Sequence, residues 1–463
     1  MHYEEDCIGR LAVDDNVLYG IHTMRALTNF PIRDEATDTL LFRSLIVIKK
    51  AAAAINAEAG TLDAAKAQAI TDACNALLLG KHQDALVAPA IQGSAGTSVN
   101  MNVNEVLAKL GMRLHPELTL HPNDDVNQSQ STNDTYPTAG RMSLLMAQPA
   151  LLNALAKLCH ALLTKADDYA EVVKVGRTQL QDATPLTWGM SFRAYTTMLT
   201  RDMRRIKQAG AALAMVNLGG TAVGTGLNAS DYYRSHIVAR VAELSELPLQ
   251  LADDLIDATQ NADDYVQYSG ALKALAVDLT KLCNDLRLLG SGPQAGFNEL
   301  KLPPRQAGSS IMPGKVNPVI PEVVNQVAFE VMGHDLTVTM AASAGQLELN
   351  AFEPIIFRDL RLSQDELNSA LRTLCDNCIA QLRVNTSHSI DNVQHSAVAA
   401  TVLNPYLGYT KTTALIQKAV ASGRSVPALL KAQRLMPDSL ISHLFSPAVL
   451  TNRMPAATKE RRV

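Results

Sequence analysis

Leu272, Leu275, Leu279, Leu282, Leu286 and Leu289 recur at intervals of three and four residues. That is a heptad seam, and it predicts a long helix packed in a bundle or coiled coil. Leu151, Leu155, Leu158 and Leu162 repeat the pattern earlier in the chain, and Phe192, Tyr195, Leu199 and Ile206 carry it on a third segment. A fourth run, "PEVVNQVAFEVMGHDLTVTMAASAGQLELNAF", opens at Pro321, a residue suited to a helix start, and then runs apolar to Phe352. Several long helices with matching seams imply a helix bundle, and their surplus apolar surface implies an oligomer. Towards the N-terminus, "LLFRSLIVIKKAAAAINAEAG" and "DAAKAQAITDACNALLLG" read as helices. The stretch from His121 to Thr138, crowded with Asn, Asp, Ser and Pro, reads as loop. The last ~75 residues read as short helices and end in a basic tail, "MPAATKERRV".

Composition sharpens this picture. The 463 residues suggest about three domains, and 47% are apolar while only 4% are aromatic, which suits helix packing. A formal net charge of -4 gives no sign of a nucleic-acid or membrane partner. No apolar run is read as a membrane span, and the acidic start "MHYEEDCIGR" is not read as a secretory signal. Cys7, Cys74, Cys159, Cys283, Cys375 and Cys378 are read as reduced thiols of a cytoplasmic protein. "CDNC" has no second pair to complete a zinc site and lies in a segment that reads as helix, so no metal is expected. The eleven histidines show no metal-binding spacing, and His22 and His121 remain second-rank candidates for chemistry.

The segment "AGSSIMPGKVNP", from Ala307 to Pro318, resembles a phosphate loop and fails as one. Five residues separate Gly308 from Gly314, and Val316 stands where a magnesium-binding Ser or Thr is needed. What remains is two hydroxyls (Ser309, Ser310), one cation (Lys315) and one amide (Asn317), an inventory for a small anion. Three further segments offer the same chemistry as loops: "QGSAGTSVNMNVNEV" with Thr97, Ser98, Asn100, Asn102 and Asn104; "SQSTNDTYPT" with Ser131, Thr132 and Asn133; "GRTQLQDATP" with Thr178 and Gln179. Neutral donors with one lysine suit a small dicarboxylate better than a polyphosphate. "LGGTAVGTGLN" lacks the surrounding βαβ unit of a dinucleotide fold and reads as a tight loop, and "ASG" at Ala421–Gly423 reads as a helix end capped by Gly423.

These blocks, in this order, resemble those of the aspartase/fumarase superfamily, and the resemblance covers nearly the whole chain. It implies a mainly α fold of three domains, 1–132, 133–388 and 389–463. It also implies a homotetramer in which the central helices form a twenty-helix core and each active site draws on three subunits. The reaction class is β-elimination from a succinyl-type substrate to give fumarate, with no cofactor. "LYGIHTMRALTNF", Ala95, "NPVIPEVVNQ" and "GQLELN" resemble the aspartase branch, acting on L-aspartate to release fumarate and ammonia. Gly314 is shared by both branches, and "GYTK" near Lys411 resembles the fumarase C-terminal region. The alternatives are a class II fumarate hydratase, an ammonia-lyase for a substituted aspartate, and a non-catalytic scaffold of the crystallin kind.

By match to the family's motifs, Ser309 is the base that takes the proton beside the β-carboxylate. The product charge spreads into that carboxylate as an aci dianion, which needs many donors; the resemblance assigns Ser131, Thr132, Thr97 and Ser310 to it. Lys315, Asn317 and Thr178 would hold the α-carboxylate. Asn133, Thr97 and Gln179 would hold the departing ammonium. Gln179 stands where fumarases and some aspartases carry His.

Overall fold

The computed structural model describes residues 1–33 and 35–453. The basic tail "MPAATKERRV" lies outside the described residues. The chain opens with a hairpin of β1 (His2–Asp6) and antiparallel β2 (Gly9–Val13). Four helices follow: α1 (Ile21–Asn29), α2 (Thr39–Glu58), α3 (Ala64–Leu78) and α4 (Thr97–Leu114). The long α5 (Thr132–Asp168) leads into a second hairpin of β3 (Val173–Thr178) and β4 (Gln181–Thr187), then α6 (Trp188–Ala212). After α7 (Asp231–Ser245) and α8 (Leu255–Gln260) come the remaining long helices: α9 (Asp263–Leu289), α10 (Val319–Ser343) and α11 (Glu353–Asn377). Short helices from Thr386 to Leu450 complete the chain. The fold is mainly α, with only two-stranded sheets among the described residues.

The chain divides into two compact units. One comprises Met1–Asn153, Asp202–Val277 and Val327–Asn368; the other comprises Ala154–Arg201, Asp278–Gln326 and the chain from Ser369 onward. In the first, α2, α3 and α4 pack through Ile46, Ile70, Cys74, Leu77, Val99, Val103 and Val106, all essentially buried. Asp38 and Asp63 start α2 and α3 by accepting the backbone N–H groups that the first turn leaves without intrahelical partners. In the second unit, Leu403, Leu415, Leu429, Leu430, Ile441 and Leu444 form a separate small core for the C-terminal helices.

The seams fall where the leucine spacing puts them. Leu151, Leu155, Leu158 and Leu162 are buried on α5, and Leu272, Leu275, Leu279, Leu282 and Leu286 on α9. Gly423 ends its helix in the left-handed conformation.

Several local expectations are corrected. The stretch from His121 to Thr138 is not loop throughout: Pro122–Val126 coil as a short wide helix, and α5 starts at Thr132 and runs through Pro137. A proline inside a helix leaves the carbonyl four residues earlier without its N–H. Here that carbonyl, Asn133 O, receives Asn217 Nδ2 at 2.9 Å instead. The helix that carries the apolar run from Pro321 ends at Ser343, short of Phe352. Asn350 Nδ2 donates to Ala341 O and Ala342 O, taking up carbonyls at the end of α10, and a turn then redirects the chain into α11. "CDNC" is not wholly helical, because α11 ends at Asn377. One further difference concerns α5, which is long and apolar enough to cross a membrane by length and composition. Half of its most apolar stretch is buried within the protein, and the helix carries the buried charges Asp134 and Arg141, as a core helix does.

Candidate active site

Two polar constellations lie in the first unit. Thr97 opens α4, preceded by three consecutive residues in the left-handed region: Ser94 (φ 80), Ala95 (φ 51) and Gly96 (φ 88). The turn is closed by Thr97 N to Ser94 O at 3.0 Å and by Val99 N to Gly96 O at 3.1 Å, and it leaves Thr97 half-buried at the helix start. The segment from Thr97 onward is helix rather than the loop read from the sequence. Asparagine is a weak helix former, and these three persist inside α4 because each is bonded. Asn102 points one way, accepting Val87 N at 2.9 Å and donating to Ala85 O at 3.0 Å. Asn100 and Asn104 point another way, both donating to Asn127 Oδ1, at 3.1 and 3.2 Å.

The second constellation is the start of α5. Ser131 Oγ accepts Asn133 N at 3.2 Å, and the buried Thr132 Oγ1 accepts Asn100 Nδ2 at 3.1 Å. Asn133 Nδ2 donates to Ala222 O at 2.8 Å. Asp134, wholly buried, accepts Ser131 N, Gly219 N and Thr221 N, each at 3.0 Å. Burial pushes its carboxyl up to about 6, with the three backbone donors pulling the other way. Asp134 therefore ties the Ser131–Asn133 turn to the glycine-rich loop after Leu218. Sequence reading missed Asp134, Asn127 and Asn217. The available signal was the density of Asn and Asp around Ser131, taken there as loop chemistry rather than as internal scaffolding.

In the second unit Thr178 and Gln179 stand at a hairpin tip, not in an irregular loop. Thr178 pairs with Gln181, and the turn between them consists of Gln179 (φ 52) and Leu180 (φ 62). Both turn residues are left-handed, the pattern of a type I′ turn, which normally takes Asn-Gly. Gln and Leu accept this strain on an exposed tip. The hairpin is rooted by Arg177, whose Nη2 lies 2.6 Å from Oε1 of the wholly buried Glu299 and whose guanidinium covers the Phe297 ring. This anchor was also missed: nothing in the sequence links positions 177 and 299.

The segment from Ala307 to Pro318 is loop, as read. Its neck closes through Gly308 N to Lys315 O at 2.8 Å and Asn317 Nδ2 to Gly308 O at 2.9 Å. A Cβ at Gly308 would come within 2.8 Å of Asn317 N and Lys315 O, so only glycine allows this closure. Ser309 Oγ accepts two backbone N–H groups, Ile311 at 3.2 Å and Met312 at 2.9 Å. Ser310 and Lys315 are exposed, and Lys315 has no ion pair among the described residues. The predicted residues thus form two sets: Thr97, Ser131, Thr132 and Asn133 in one unit, Thr178, Gln179, Ser309, Ser310, Lys315 and Asn317 in the other. Of the second-rank histidines, His121 Nδ1 accepts Asp124 N at 3.1 Å, while the buried Nδ1 of His22 lacks a partner. Among the described residues no group of three or more His, Cys, Asp or Glu side chains is arranged to hold a metal ion.

The family model described as "Lyase" matches residues 9–333, and that of the fumarase C C-terminus matches residues 400–452. The aspartate ammonia-lyase of Pseudomonas canavaninivorans is 46% identical over 456 residues, spanning 96% of this chain and 95% of that protein. The chain belongs to the aspartase/fumarase superfamily. Solved members share its fold closely. A fumarate lyase:delta crystallin from Brucella melitensis bound to cobalt superposes with a TM-score of 0.94 at 41% identity, covering 98% of this chain and 100% of its own. A recombinant class II fumarase from Schistosoma mansoni gives 0.92 at 32% identity, covering 98% and 100%. The superfamily fold therefore accommodates nearly all of this chain, and the aspartate ammonia-lyase is nearer in sequence than the fumarase.

Proposed function

We propose that this chain is an aspartate ammonia-lyase, converting L-aspartate reversibly to fumarate and ammonia. The observation that carries the reading is near-full-length identity of 46% to an aspartate ammonia-lyase, against 32% to a class II fumarase. In this reading Ser309 is the base. Its Oγ removes a proton from the carbon beside the β-carboxylate, and the electron pair moves into that carboxylate to give an aci dianion. Collapse of the dianion regenerates the carboxylate, forms the Cα–Cβ double bond and breaks the C–N bond, releasing ammonia. A serine hydroxyl is an unfavourable base, and the two N–H groups donated by Ile311 and Met312 are the kind of donors that stabilise its alkoxide. Thr97, Ser131, Thr132 and Ser310 serve the β-carboxylate, Lys315, Asn317 and Thr178 the α-carboxylate, and Asn133, Thr97 and Gln179 the ammonium.

The three-domain division at 132/133 and 388/389 belongs to the same reading, as does the homotetramer with a twenty-helix core and sites shared by three subunits. Phe329, Leu336 and Met340 support an oligomer: each is more than half exposed, and they fall seven and four residues apart on α10. The six cysteines form no disulfide among the described residues, which fits a cytoplasmic location.

The direct test is absorbance in the fumarate band with purified protein and L-aspartate or L-malate supplied separately. Signal from aspartate alone is expected; signal from malate alone makes this a hydratase, and silence with both favours a substituted aspartate or a scaffold. Lys315→Ala should raise KM for aspartate about 10–100-fold, the worth of one charge-assisted bond, with little change in thermal stability because the side chain is exposed. Initial rates over a substrate series check it, and an unchanged KM removes Lys315 from the carboxylate site.

A further inference from the structure

Lys49 is the least expected charge in the first unit. It lies midway along α2 and is completely buried. Desolvation pushes its ammonium down to about 7, opposed by the field of Asp134. A lysine is rarely buried without a carboxylate partner. Here Nζ donates instead to two amide oxygens, Asn127 Oδ1 at 2.8 Å and Gln130 Oε1 at 2.9 Å. Two acceptors also match the two protons of a neutral amine, so the contact works as a pair of donors in either protonation state.

What Lys49 holds is the segment directly before Ser131. Asn127 Oδ1 gathers Lys49, Asn100 and Asn104, while Asn127 Nδ2 donates to Gln130 O at 3.2 Å. Gln130 Nε2 closes the turn on Val126 O and Gln128 O. Within it Ser129 is left-handed (φ 64), and its hydroxyl bonds Asn56 Oδ1 at 2.8 Å. Such a conformation persists only where the surroundings over-determine it. Asn100 passes the same register to the Thr132 hydroxyl.

We propose that Lys49 is a positioning residue for substrate binding: by holding Asn127 and Gln130 it fixes the backbone on which Ser131, Thr132 and Asn133 present their groups. This rests on the reading above that those three residues hold the substrate. Lys49→Met keeps the apolar stem, one atom shorter, and removes the donors; Lys49→Gln, of the same length as the Met variant, restores an N–H donor. Steady-state kinetics with L-aspartate on the assembled protein compares both with wild type and with Thr132→Ala. The expected result is a KM raised about tenfold or more in Lys49→Met, a smaller fall in kcat, and recovery to within about threefold in Lys49→Gln, with circular dichroism unchanged. A folded Lys49→Met with wild-type KM, beside a Thr132→Ala whose KM rises, overturns the role of Lys49 and leaves the site reading intact. Wild-type kinetics in Thr132→Ala as well overturns the site reading and the proposal with it. Should Lys49→Met fail to fold, Gln130→Met removes one of the two acceptors at a half-buried position. A KM raised several-fold supports the proposal there, and an unchanged KM overturns it.

Discussion

Ser309→Ala is expected to lower kcat for aspartate by about a thousandfold or more, while circular dichroism and the thermal midpoint stay near wild type. The size follows from the chemistry. A positioned base contributes about 10²–10⁴-fold, and no neighbouring side chain on the loop is a ready substitute, since Ser310 is its only other hydroxyl. The retained stability follows from the structure. Ser309 is half-buried in a loop, and alanine releases two backbone N–H groups, of Ile311 and Met312, at exposed positions where water can take them. Substrate binding should be largely kept, because Lys315 and the loop neck through Gly308 and Asn317 do not depend on the hydroxyl. A variant whose kcat falls while KM holds is one that has lost a transition-state interaction. Activity within about tenfold of wild type, under ~1.4 kcal/mol of barrier, would remove Ser309 from the role of base.

The bundle was legible because leucine spacing reports directly on which face of a helix is buried, and the seam residues of α5 and α9 are buried as their spacing requires, apart from the half-buried Leu289 at the end of α9. The four polar blocks stood out by their residue types, but the secondary structure of three of them was not legible. Only the segment around Ser309 is a loop; Thr97 and Thr132 open helices, and Thr178 ends a strand. The reason is the same in each case. Asn, Ser and Pro weaken helices and strands by local preference and Thr weakens helices, and distant partners override that preference one bond at a time. Asn217 takes up the carbonyl stranded by Pro137, Asn127 gathers Asn100 and Asn104, and Glu299 roots the strand that ends at Thr178. Those partners lie 84, 27, 23 and 122 residues away in sequence, and no local pattern points to them.

Gly96→Ala should be the most damaging of the small substitutions near the site. Gly96 has φ +88, where a Cβ is strained by about 1–2 kcal/mol. That Cβ would also stand 2.3 to 2.6 Å from the ring of Tyr136, which is itself buried and wedged edge-on against Phe357 at 5.6 Å. The ring is the stiff end of a packed side chain, so α4 must shift, and overpacking of this kind costs about a further 1–3 kcal/mol. The sum is about 2–5 kcal/mol of stability, read as a lower denaturation midpoint. Activity should fall as well, because Thr97 is the next residue and moves with the helix start. Gly93→Ala is the internal control. Its Cβ would meet only the edge of Phe30 at 3.6 Å, an ordinary contact, so midpoint and kinetics should stay near wild type. Equal effects at the two positions would mean that general loosening of the approach to α4, rather than the contact between Gly96 and Tyr136, sets where Thr97 stands.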